Sequence, residues 1–98
     1  MDSQLEEVRQ LQEDAKRGED AWQSLRGLIP AFEALRKDLT AQMSAVKPAD
    51  EKTKSKLIDM WQLVDGLENW FRKAIETGDY AALQLEERKK FNLFKRAG

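Results

Sequence analysis

The stretch Leu57 to Ile75, LIDMWQLVDGLENWFRKAI, constrains this chain more than any other, because it holds two of the three tryptophans and the densest apolar pattern. Read as a heptad, it sets Leu57, Met60, Val64, Leu67, Phe71 and Ala74 on a narrow seam, which Trp61, Leu63, Trp70 and Ile75 widen on both flanks. A helix that pairs with a single partner needs only one stripe. The flanking aromatics therefore predict packing between at least two other helical segments, with Trp61 and Phe71 in the core. A groove for a partner helix or an apolar ligand is the other use such a face can have. Asp59, Gln62, Asp65, Glu68, Asn69, Arg72, Lys73 and Glu76 form the polar remainder.

Upstream, Ser3-Gln4-Leu5-Glu6 fits a capping box and predicts a helix start at Ser3. Val8, Leu11, Ala15, Gly18, Trp22, Leu25, Ile29, Phe32, Leu39, Met43 and Val46 then recur by threes and fours, a heptad seam with Arg36 as its charged interruption. The Arg36 stem can pack while its charge reaches Asp38, Glu33 or solvent, or it can set register as a polar seam residue. Gly27 and Pro30 weaken the helix, yet the seam keeps its phase from Leu25 through Ile29 to Phe32, which predicts a kinked continuous helix over 3–46.

Lys47-Pro48 ends that helix, and Asp50 and Glu51 suit the positive end of a second one over 48–77, in which Gly66 would let another backbone approach. Thr77-Gly78-Asp79 reads as a stop and restart, with Gly78 closing one helix and Asp79 capping a third over 79–95. That third helix carries Tyr80, Leu83, Phe91 and Phe94 on one side. The segment AIETGDYAAL, Ala74 to Leu83, resembles the turn and restart of tetratricopeptide repeats and of some spectrin-like helices, which implies a generic helical hairpin there. The expected fold is all-α and a single domain over 1–98: a long kinked N-terminal helix packed against two shorter ones, a helical hairpin or three-helix bundle with coiled-coil character.

With 41% apolar and 36% charged residues, the chain has neither the composition of a disordered tail nor a run long enough to span a bilayer. Its start, MDSQLEEVRQ, lacks the basic and apolar segments of a secretory signal, so a cytoplasmic location is expected. Cysteine and histidine are absent, which removes thiolate nucleophiles, the commonest general base and the commonest zinc ligand. Adjacent carboxylates such as Glu6 and Glu7, or Glu86 and Glu87, point about 100° apart on a helix and do not converge on a substrate. Arg36 alone invites comparison with bundle enzymes that hold dianions. No catalytic, cofactor-binding or metal residue is assigned, and a non-enzymatic protein is expected.

Two interaction surfaces are candidates. The tail RKKFNLFKR sets Arg88, Lys89, Lys90, Lys95 and Arg96 against Glu86 and Glu87, a local balance of +3. It forms a basic patch that could meet a partner or nucleic-acid phosphates, with Phe91 and Phe94 read as core. At about 1.5 Å per residue, a helix over 3–46 would be roughly 66 Å long against roughly 45 Å for one over 48–77. That mismatch leaves Val8, Leu11 and Ala15 uncovered as a stripe for self-association. The expected function is a homo-oligomeric interaction or assembly module acting through protein contacts, without cofactor. The alternative is a nucleic-acid-associated accessory factor using the basic C-terminal helix.

Overall fold

The computed structural model describes the backbone of residues 2–97 and the side chains of residues 3–91. The chain is all-α, but it forms two helices rather than three: α1, Asp2–Ala45, and α2, Glu51–Ala97. The second and third expected helices are one helix of 47 residues, running unbroken through Thr77-Gly78-Asp79 and the AIETGDYAAL segment. No glycine takes a positive φ among the described residues, so Gly78 is not the left-handed residue that closes a helix. Since α1 has 44 residues, the two helices are nearly equal in length and the expected mismatch does not exist.

Packing divides the chain into two units, one of residues 24–70 and one of the residues up to Gln23 with those from Phe71 onward. In the second of these, α1 and α2 meet at Gly18 and Gly78, both buried. A Cβ built on Gly18 would lie 2.7 Å from the Gly78 Cα and 3.0 Å from the Ala74 carbonyl oxygen. Only a residue without a Cβ allows backbones this close, and that contact explains a glycine that would otherwise weaken the helix. Ala21 and Ala81 are buried in the same unit, small residues consistent with the tight approach.

Residues 24–70 form a hairpin whose core is built on a strict seven-residue repeat in α1, Leu25, Phe32 and Leu39, with Leu57 from α2. Trp61 and Phe71, expected in the core, are half-buried, as is Val64. Gly66, expected to meet another backbone, and Gly27 both face open space, with nothing within 4 Å of an added Cβ. At Arg36 the seam's charge is met from α2: Nη1 donates to Glu68 Oε1 at 2.8 Å, and Nη2 and Nε donate to Asp65 Oδ1 at 2.8 and 3.2 Å. The expected partners Asp38 and Glu33 are on its own helix, whereas the acids found are across the hairpin. Hydrogen bonding to Glu68, then to Asp65, holds the guanidinium above its ordinary range. A charged residue matched to two acids at one level disfavours a slipped pairing, which fits the register-setting role.

The turn between the helices has its own hydrogen bonds. Asp50 N–H donates to the Lys47 carbonyl at 2.9 Å, and Lys54 Nζ donates to the Pro48 carbonyl at 2.9 Å. Asp50 caps α2, which begins after the turn rather than at Pro48: its Oδ2 accepts from Thr53 Oγ1 at 2.7 Å and its Oδ1 from Thr53 N–H at 3.1 Å. The hydroxyl and then the amide hold the Asp50 carboxyl below its ordinary value of 3.8. A carboxyl lowered on folding adds stability that is present above 3.8 and is lost as pH falls through the lower folded value. Asp50→Ala is therefore expected to melt below the parent at neutral pH, with the gap closing on acidification below 3.8. Thermal melts across that range check it, and a gap independent of pH would refute it.

Helix α1 runs continuously through Pro30, as its seam implied. Pro30 is exposed, so the Arg26 carbonyl that lacks its donor can take water instead. Pro30→Ala restores that donor without touching the core and is expected to stabilise the chain by up to about 3 kcal/mol. A melting temperature unchanged or lowered would show that the proline serves the fold.

Candidate interaction surface

Within the hairpin of residues 24–70, side chains three positions after a core residue lie about 60° to one side of the seam on each helix. On α1 these are Leu28 and Leu35, following Leu25 and Phe32; on α2 they are Met60, following Leu57, and Leu67, following the half-buried seam residue Val64. The two helices run antiparallel across the turn, so equal offsets about their own axes bring both pairs to the same side of the hairpin. Six positions after the core residues, on the same side and further out, come Ala31 on α1 and Leu63 and Trp70 on α2.

This side is bare in the chain. Leu28 is 37% exposed, Leu35 45%, Met60 48%, Leu67 49%, Trp70 61% and Leu63 73%. The sequence assigned Met60 and Leu67 to the seam and gave the flanks, Trp61, Leu63, Trp70 and Ile75, to packing between at least two other helical segments. The third expected helix is instead the continuation of α2, and Leu63 and Trp70 keep most of their surface exposed. Leu28 went unremarked in the sequence. The signal that finds it is the repeated three-residue offset, Leu25 to Leu28 and Phe32 to Leu35, matched on α2 by Leu57 to Met60 and Val64 to Leu67.

The opposite side of the hairpin is different in character. Near the turn, Thr40, Met43, Ser44, Ile58, Trp61 and Gln62 line an open hollow of about 570 Å³. Beyond it the Arg36, Asp65 and Glu68 cluster makes the surface polar.

In the other unit, Val8, Leu11 and Ala15, the candidate self-association stripe, are half-buried rather than open. An open depression of about 720 Å³ surrounds the glycine contact, bordered by Ala15, Trp22, Ile75 and Ala82. Trp22, placed on the seam by its spacing, is 46% exposed. Of the candidate basic patch, Arg88 donates from Nη2 to Glu7 Oε2 at 2.9 Å, while Lys89 and Lys90 are exposed. The side chains of Lys95 and Arg96 lie outside the described residues, as does that of Phe94. Phe91, read as core, is 64% exposed.

Among the described residues, no group of three or more acidic side chains could hold a metal ion, and no helix is long and apolar enough to cross a membrane. No protein-family model, curated protein or solved structure matches the chain.

Proposed function

We propose that this chain is a non-enzymatic interaction or assembly module that works through protein contacts and functions as an oligomer. The observation that carries the reading is the bare side of the 24–70 hairpin, where Leu28, Leu35, Met60, Leu63, Leu67 and Trp70 stand together between 37% and 73% exposed. Scattered exposed leucines are ordinary on a protein surface, whereas a contiguous apolar face in register on two neighbouring helices marks a contact surface. A further helix laid along that side would meet anchors at three- and four-residue spacing, the pattern by which helices dock in grooves.

The test uses the full chain as bait in an extract of its own source cells, beside a Leu28→Glu, Leu67→Glu variant. Both positions are exposed, so the variant is expected to keep the parent's helicity in circular dichroism. The intact chain is expected to retain proteins, its own copies included, that the variant loses. Identical sets on both baits would refute the reading.

A further inference from the structure

We propose that the occupant of this side is a second copy of the chain, placed by a two-fold axis parallel to the hairpin so that α1 of each copy lies along α2 of the other. The inference rests on the reading of the bare side as a contact surface and names its partner. Three observations favour a second copy over an unrelated helix.

The first is area. The chain exposes 8171 Å², against roughly 5,700 Å² for a folded monomer of its mass, 11.3 kDa. The excess is roughly 2,400 Å² per chain, surface that a chain of this mass ordinarily buries, and burying about 2,000–5,000 Å² between two copies is what obligate dimers do.

The second is size. Along the outer row of the bare side, one heptad apart, α1 presents Ser24, Ala31 and Asp38, and α2 presents Trp70, Leu63 and Lys56. Taken in those pairs, the residues stand at matching distances from the turn, so the two-fold axis brings Ser24 to Trp70 and Ala31 to Leu63 of the other copy. In this outer row small residues on one helix meet large ones on the other, while Leu28 and Leu35 meet Leu67 and Met60 nearer the axis, an alternation of sizes that interdigitating layers use. An axis that instead paired α2 with α2 would set outer row on outer row, with Leu63 and Trp70 of one copy against Leu63 and Trp70 of the other, large against large.

The third is charge. The same row ends near the turn with Asp38 on α1 and Lys56 on α2, both exposed. The proposed axis sets each Asp38 against the other copy's Lys56, twice per dimer. Such complementarity chooses partner and direction more than it adds affinity.

Because the chain has no cysteine, introduced thiols are unique. Two differently tagged full-length variants, Asp38→Cys and Lys56→Cys, are mixed, unfolded and refolded together, and then oxidised. The mixed disulfide is expected to exceed either like-with-like disulfide several-fold, and light scattering of the unmodified chain is expected to give twice 11.3 kDa at micromolar concentration. A monomer at every concentration, an oligomer other than a dimer, or a dimer without preference for the mixed disulfide overturns the proposal. A monomer whose capture of other proteins still depends on Leu28 and Leu67 would overturn the second copy alone. Loss of that dependence would overturn the interaction reading itself.

Discussion

Leu25→Ala is expected to lower the stability of the chain by roughly 2–5 kcal/mol, enough to unfold much of the 24–70 hairpin near 37 °C. Leu25 is completely buried, the largest side chain in that condition, and sits at the head of the repeat that continues in Phe32 and Leu39. Removing three carbons there forfeits their transfer from water and leaves a cavity that two long helices, fixed by residues on either side, cannot readily close. Leu5→Ala makes the same chemical change at a residue 68% exposed, and its effect is expected to stay within about 0.5 kcal/mol. Urea melts of the two variants beside the parent decide it; equal midpoints for Leu25→Ala and Leu5→Ala would show that the repeat is not the core.

Gly78→Val is expected to be as damaging, with a loss of about 3 kcal/mol or more. A Cβ on Gly78 would stand 2.6 Å from the Gly18 Cα and 3.0 Å from the Asp14 carbonyl oxygen, and these are backbone atoms that cannot rotate aside. The helices would have to separate there. Even Gly18→Ala or Gly78→Ala should destabilise, although alanine in a helix interior ordinarily gains about 1 kcal/mol over glycine. Gly27→Ala and Gly66→Ala supply the opposite sign, because a Cβ there meets nothing within 4 Å and only the propensity gain remains. Thermal melts of the four alanine variants should split two down and two up; four shifts in one direction would remove the glycine contact from the account.

What was legible in the sequence was the α1 seam. Leu25, Phe32 and Leu39 are buried as their seven-residue spacing implies, and the helix keeps its phase across Pro30. The misreading at Gly78 has a physical origin, since a glycine that ends a helix and one that lets two helices touch look alike within five residues of sequence. A longer view separates them. Leu57, Val64, Phe71, Gly78 and Leu85 keep seven-residue spacing through the supposed stop, which a turn would have broken. From that error followed the third helix, the expectation of two neighbouring helices for the Leu57 to Ile75 face, and the idea that Val8 and Leu11 were left uncovered. Arg36 was recognised as a polar seam residue, but its acids lie across the hairpin, and one strand of sequence does not tell which level of the opposing helix will face it. The width of the Leu57 to Ile75 face predicted at least two neighbouring helices; the chain forms only two helices in all, and the proposed second copy covers the exposed side.

The most direct test of that last statement is hydroxyl-radical footprinting of the full chain in cells, reading Trp70 against Tyr80. The two are almost equally open in the folded chain, 61% and 63% exposed, but Trp70 stands on the bare side of its hairpin and Tyr80 belongs to the other unit. Each rate is divided by that of the same residue in the urea-unfolded chain, which removes the intrinsic difference between indole and phenol. A contact surface covered by another helical chain predicts that Trp70 is protected several-fold more than Tyr80. Equal normalised rates would contradict it, because they would mean that the apolar side of the hairpin is open to water where the protein works.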